Sequence, residues 1–142
     1  MKNYALILTL LFLLIACHSK EKKQNYISEN QDQSSLKESI KRGSVVYDDF
    51  CISCHLPNGK GIPKVFPPLA NSDYLKNNQI KSIKAIKYGL TGKITVNGTS
   101  YNGTMTALGL SDEEVTDVTN YINNSWDNKI DNFVTSEKVS KL

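Results

Sequence analysis

The stretch Cys51, Ile52, Ser53, Cys54, His55 restricts this chain more than any other. Two cysteines separated by two residues, with a histidine directly after the second, bring two thiols and an imidazole into little more than one helical turn. Residues at i and i+3 share a helix face, so both sulfurs present to the same side. The imidazole on the following residue then projects toward whatever the two sulfurs hold. This is the attachment pattern of a c-type haem. On this pattern Cys51 and Cys54 are expected to form thioethers along one side of a porphyrin, with His55 as the proximal iron ligand.

Other chemistries of the same five residues fare worse. A zinc site needs four N, S or O ligands, usually in two spaced pairs. Here the only other thiol and imidazole are Cys17 and His18, far toward the N-terminus. A thioredoxin-type pair needs a βαβ context, and no such alternation follows. A disulfide between Cys51 and Cys54 closes too short a loop to stabilise much and leaves His55 without a role.

The N-terminal segment accounts for the third cysteine. A basic start at Lys2 precedes an apolar run over 4–15 that is too short to span a bilayer and ends in Leu14, Ile15, Ala16, Cys17. That ending resembles the bacterial lipoprotein box. The resemblance implies a signal peptide over 1–16, cleavage before Cys17, and acylation of Cys17 as a membrane anchor, since two or more acyl chains hold stably where one does not. An uncleaved anchor, or a secretory signal cut elsewhere, are the alternatives. All three export the chain to the periplasm or the outer face of a bacterial membrane. The net charge of +3 gives no footing for a nucleic-acid partner.

Residues 17–36 then turn polar, rich in Ser, Lys, Glu, Gln and Asn. So little apolar surface cannot offset ordering entropy, and the composition predicts a flexible tether. From Leu36, a helical face of Leu36, Ile40, Gly43, Tyr47, Phe50 and Cys54 runs into the haem motif. Gly43 in mid-helix costs about 1 kcal/mol against Ala, which points to a close helix crossing. After His55 come Pro57, Gly59, Gly61 and Pro63, turn residues that end the helix. A backbone carbonyl here, Pro63 by proximity, is expected to accept from the second ring nitrogen of His55. Phe66, Pro67, Pro68, Leu69 and Ala70 are suited to line a porphyrin face, and Ser72 can cap a helical turn from Asp73.

Residues 79–88 predict a helix with Ile80, Ile83 and Ile86 inward and Gly89 as its stop. Lys81, Lys84 and Lys87 share one side, read either as a solvated face or as a docking patch for an acidic redox partner. A short β-hairpin is expected near 93–102, turning at Asn97-Gly98 in a type I′ turn. Met105 follows in a Gly/Thr-rich loop. With Met1 lost with the signal and His18 in the tether, Met105 is the clear candidate for a second iron ligand; Met/His ligation is the electron-transfer pattern. Ser111 and Glu114 form a capping box for a last helix, with Val115, Val118, Tyr121 and Ile122 as its apolar stripe and Trp126 at its end. The tail over 127–142 is expected to pack partly and then fray.

With Gly43, Tyr47, residues 51–55, the Pro67-Pro68-Leu69 segment, Met105 and the final capped helix, the chain resembles class I cytochromes c over 37–126. It is most similar to single-haem bacterial members that carry Phe-Pro-Pro-Leu-Ala-Asn-Ser-Asp-Tyr-Leu and Asn-Gly-x-x-Tyr-Asn-Gly-x-Met. The resemblance implies an all-α fold of three main helices around one covalently bound haem c, the first and last crossing. It implies a one-electron carrier rather than an enzyme, with an oxidase, a reductase or a dehydrogenase as redox partner. The alternatives are a haem subunit held permanently in a larger oxidoreductase, and a sensor whose iron binds a small ligand. Thr106 stands where the family often has proline after the methionine.

Overall fold

The computed structural model describes residues 21–130 and 133–142, with side-chain environments from residue 35 onward. Cys17 and His18, and with them the signal peptide and lipidation site, lie outside the described residues. Two compact units divide between Ser35 and Leu36, and the second, Leu36–Leu142, carries the packed core. Among the described residues no helix is long and apolar enough to cross a membrane.

Six helices and one hairpin make up the described chain: α1 (Glu21–Phe50), α2 (Ile52–His55), α3 (Asp73–Asn77), α4 (Gln79–Tyr88), β1 (Leu90–Val96), β2 (Thr99–Met105), α5 (Asp112–Asn123) and α6 (Ser136–Ser140). The long helices α1, α4 and α5 are the three main ones. Helical backbone begins at Glu21, whereas composition predicts an irregular tether over 17–36. No glycine or proline interrupts residues 21–42, and Glu, Lys and Gln have good helix propensity, so local preference is enough to wind this stretch.

The buried row on α1 is Ser39, Gly43 and Tyr47, and it continues through Cys51 to His55. These five recur every four residues, along one side of a helix. Phe50, expected on the inward face, is instead exposed. The row meets α5 at Gly43. A Cβ on Gly43 would lie 1.9 Å from the Asp117 carbonyl oxygen and 2.9 Å from the Tyr121 Cβ, so only glycine lets the two backbones approach this closely. The Asp117 carboxylate is buried and is held across the crossing. It accepts from Ser39 Oγ at 2.7 Å and from Arg42 through Nε at 2.6 Å and Nη2 at 2.9 Å. Buried charge is tolerated only with such partners. The hydrogen bond to Asp117 in turn raises the Arg42 guanidinium pKa.

Helix α5 starts at the expected capping box. Ser111 Oγ accepts from the Glu114 N–H, and the Glu114 carboxylate accepts from the Ser111 N–H at 2.7 Å. Val115, Val118 and Ile122 are buried as its stripe predicts. Helix α3 is capped by Ser72, whose side chain accepts from Leu75 N–H. Helix α4 ends at Gly89 with φ 82°. On α4 the inward side is Ser82, Ile83 and Ile86, while Ile80 is exposed. Ser82 closes onto the Asn78 carbonyl at 3.0 Å, so a small polar residue can be buried there.

Beyond α5, the described residues of the tail pack instead of fraying. Val134 and Val139 have no exposed surface, and α6 is capped by Thr135. Val134 exchanges backbone hydrogen bonds with the Asn120 side chain, and Lys87 Nζ reaches the Val139 carbonyl at 3.0 Å and Asp112 at 2.7 Å. Lys87 is therefore a structural clamp rather than part of a free lysine face. Partial packing of this tail is expected from its apolar residues, but residues 130, 134 and 139 share no helical period, so how far the packing extends is not readable from their spacing.

On helix propensity alone, Gly43→Ala would stabilise the protein by about 1 kcal/mol. Overpacking at the crossing reverses the sign. The expected outcome is a loss of roughly 1–3 kcal/mol in chemical denaturation, and a variant as stable as the parent would contradict the close crossing.

Candidate functional site

Cys51 lies at the join of α1 and α2, and its N–H still donates to the Tyr47 carbonyl at 2.9 Å. The helical path is therefore nearly continuous, and Cys51, Cys54 and His55 fall on successive parts of one turn. Cys51 and His55 are buried and Cys54 is half-buried. Both cysteines are free thiols. Burial pushes the Cys51 thiol up to about 11, so in the unmodified chain it is protonated at neutral pH.

After His55 the chain reverses at Leu56, with φ 64°. Tyr47 fixes this corner. Its hydroxyl donates to the Leu56 carbonyl at 2.8 Å, and its ring lies 5.4 Å from that of Tyr121 and 5.0 Å from that of Trp126. The loop beyond folds back so that Leu69 and Ala70 N–H both donate to the Gly59 carbonyl, at 2.7 and 2.9 Å. This return brings Pro67, not Pro63, against the histidine. The Pro67 carbonyl oxygen is 3.0 Å from His55 Nδ1. A carbonyl only accepts, so Nδ1 carries the proton and the Nε2 lone pair is left for a ligand. Burial lowers the His55 pKa, against the smaller opposing effect of the Pro67 bond. The ring is thus held neutral, the form that binds metal.

Opposite this loop in sequence, the hairpin supplies a wall. Its strands pair Leu90 with Met105, Gly92 with Gly103 and Ile94 with Tyr101. Alternation along a strand puts these six on one face. All six line a cavity of about 410 Å³ together with Phe50, Cys51, Cys54, His55, Phe66 and Pro67. A smaller cavity of about 80 Å³ adjoins Cys51, His55 and Met105, and reaches Leu69, Leu75, Ile86 and Ile122. Met105 is the last residue of β2 rather than part of an irregular loop, and the hairpin runs over 90–105 rather than 93–102. Asn97 and Gly98 turn it with φ 49° and 75°, the two positive values of a type I′ turn.

These residues fit a haem. The donor set is two thiols, one imidazole with a free Nε2 and one thioether, all lining the same cavity. The walls are apolar, from Leu90, Ile94, Phe66 and Pro67. A Cβ added to either member of the Gly92–Gly103 pair would meet nothing within 4 Å. The centre of the hairpin face is therefore bare backbone, with room for a flat group. The sequence reading missed Leu90, Gly92, Gly103 and Tyr101 as lining residues. Their signal was the two-residue alternation on both sides of Asn97-Gly98, which extends further than the β-branched run of Ile94, Thr95 and Val96. Among the described residues there is no cluster of three or more His, Cys, Asp or Glu that could hold a separate metal ion.

Met105 is placed by a close approach at Gly89. That glycine has φ 82°, and a Cβ there would sit 2.6 Å from the Met105 carbonyl oxygen and 2.9 Å from Ala107 N. Gly109 has φ 72° with open space around it and lies outside the cavity lining. Gly89→Ala should therefore lower the melting temperature more than Gly109→Ala, which meets backbone strain alone. Only Gly89→Ala should also shift the Met105 methyl resonance. Equal losses in the two variants would show that the contact with Met105 is immaterial.

Comparison with known proteins bears on the same segment. The family model for cytochrome c matches residues 40–126. The chain is 39% identical over 109 residues to a cytochrome c-552 of Thermus thermophilus, covering 70% of this chain and 82% of that protein. It is 31% identical over 109 residues to the cytochrome c subunit of a quinone alcohol dehydrogenase from Gluconacetobacter polyoxogenes, covering 70% of this chain but only 22% of that subunit.

Proposed function

Since this chain belongs to the cytochrome c family, as a class I single-haem electron carrier with one covalently bound haem c, we propose that it is a membrane-tethered carrier in which His55 and Met105 would hold the iron. The observation that carries this reading is the convergence of Cys51, Cys54, His55 and Met105 on one cavity. When bound, the haem supplies the one-electron couple. The protein's own residues do the rest. Cys51 and Cys54 fix the group in position, His55 offers Nε2 as a neutral donor, and Met105 offers its sulfur. With both His55 and Met105 bound, the iron would have no position open to a small ligand, which suits electron transfer. Leu90, Ile94, Tyr101 and Phe66 exclude water around the site, and a dry, low-dielectric surround is one of the levers that set a haem potential.

The test is optical. Ferric protein is expected to display the weak long-wavelength band of methionine–iron ligation, and Met105→Leu should abolish it while leaving the haem attached. A parent protein without the band would favour a five-coordinate iron open to small ligands, and overturn the carrier reading in its His/Met form.

The remaining parts of the proposal concern location and partners. We place the mature N-terminus at Cys17, acylated, with the signal peptide over 1–16 removed and the cytochrome domain over 37–126 held outside the cytoplasm. The expected result is that Cys17→Ser releases a haem-loaded protein into the soluble extracellular or periplasmic fraction. Retention in the membrane pellet would refute the lipid anchor. Redox partners are proposed to be an oxidase, a reductase or a dehydrogenase. The relative that is a subunit of a quinone alcohol dehydrogenase supports a second reading, permanent residence in a larger complex, which co-purification of stoichiometric subunits after detergent extraction would establish.

A further inference from the structure

We infer that Asn128 is a positioning residue for His55: it clamps the loop that carries Pro67 and thereby sets the strength of the hydrogen bond that holds the imidazole. The inference rests on the reading of His55 as an iron ligand. Asn128 lies beyond residue 126, where the family match ends.

Asn128 is buried, 8% exposed, and its amide is used in full. Nδ2 donates to the Leu69 carbonyl at 2.9 Å and to the Ile122 carbonyl at 2.8 Å. Oδ1 accepts from Asn71 N–H at 2.8 Å. One planar group with two donors and an acceptor ties the end of α5 to the loop at two points, Leu69 and Asn71. A carboxylate in its place would oppose acceptors to the Leu69 and Ile122 carbonyls. Leu69 and Ala70 are in turn bonded through their N–H groups to the Gly59 carbonyl. Pro67 therefore stands two residues from a segment held on both sides, and its carbonyl is presented to His55 Nδ1 by that restraint.

The chain bends sharply to deliver Asn128. Trp126 and Asp127, two successive residues other than glycine, have φ 50° and 65°, a strained conformation that persists only where surrounding contacts enforce it. Trp126 provides them. Its ring packs tilted against Tyr47 and edge-on against Tyr121, and Nε1 donates to the Pro57 carbonyl at 3.0 Å. The strained turn, the indole bond to one end of the loop and the amide clamp on the other end belong to one device, and its output is the position of the Pro67 carbonyl.

The consequence is electronic. A histidine ligand that donates its second N–H to a fixed acceptor is a more basic ligand, and a more basic ligand favours the ferric state. Loss of the clamp leaves Leu69 O, Ile122 O and Asn71 N without these partners. The loop relaxes, the Nδ1–H bond weakens, and the midpoint potential rises.

The test uses haem-loaded protein and two readouts, the midpoint potential and the exchange rate of the His55 ring Nδ1 proton followed by NMR in the ferrous state. Asn128→Ala is expected to raise the potential and to speed ring-proton exchange at least tenfold. Val139→Ala, which truncates a fully buried residue outside this network, should lower thermal stability and leave both readouts unchanged. Unmoved readouts in Asn128→Ala, or equal shifts in the two variants, would overturn the proposal. The parent protein gives an independent check that needs no variant to fold. The His55 ring proton and the Asn71 amide should open together with one protection factor, and a ring proton that exchanges independently of Asn71 would overturn it. A parent lacking the methionine–iron band but meeting these expectations would sink the Met105 assignment and leave this inference standing.

Discussion

The contact between Gly43 and the Asp117 carbonyl determines where the reactive end of the chain goes. Helix α1 can reach α5 this closely only where a side chain is missing, and the approach fixes the rotation of α1 about its own axis. Every fourth residue from there is then committed. Tyr47 meets Tyr121 and Trp126, Cys51 turns into the cavity, and His55 arrives against Pro67. The same crossing buries the Asp117 carboxylate, which would be costly alone but is satisfied by Ser39 and Arg42 from the opposite helix. A pair of charges partly shielded from water also resists misalignment, because sliding one helix past the other would leave a buried carboxylate without its donors.

Burial acts on the two adjacent functional groups in ways that favour the same chemistry. It disfavours charge on both Cys51 and His55, raising the pKa of the first and lowering that of the second. A neutral thiol and a neutral imidazole can share a dry site without the cost of desolvating a charge before any haem arrives. The Pro67 carbonyl then decides which imidazole nitrogen is available, a choice that neither burial nor sequence could make.

Much of this site was legible from residue order alone. Cys51, Cys54 and His55 declare themselves by spacing, Met105 by the scarcity of other ligands, Gly43 by the oddity of glycine in a strong helical pattern, and the α5 start by its capping box. What escaped was whatever depends on the path of a loop. Pro63 is nearer to His55 in sequence, yet the loop doubles back on Gly59 and brings Pro67 instead. Ile80 fits the inward period of α4 but sits at the helix start, where the neighbouring surface does not cover it, and Ser82 is buried in its stead. The packing of Val134 depends on Asn120, a polar residue on a face that periodicity marks only by its valines. Asn128 is the extreme case. Its importance comes from three backbone partners, the most distant 59 positions away in sequence, and nothing local announces it.

The hairpin carries a different kind of information, because its register decides whether Met105 is available at all. Side chains alternate along a strand, so a slip of β2 by one residue would turn Met105 and Tyr101 away from the cavity together. The type I′ turn at Asn97-Gly98 removes that freedom, since a two-residue turn fixes which residues pair. The turn is itself pinned to the core. Asn97 N–H donates to the Asp73 carboxylate at 2.7 Å and Asp73 N–H donates to Asn97 Oδ1 at 3.0 Å, a reciprocal pair at the start of α3. At the other end of the hairpin, Gly89 presses on the Met105 backbone. The strand is thus registered at its turn and located at its open end. That matters because Thr106 offers none of the rigidity that a proline after the methionine would give. In this chain the hairpin takes over that role, and the methionine is held by strand pairing.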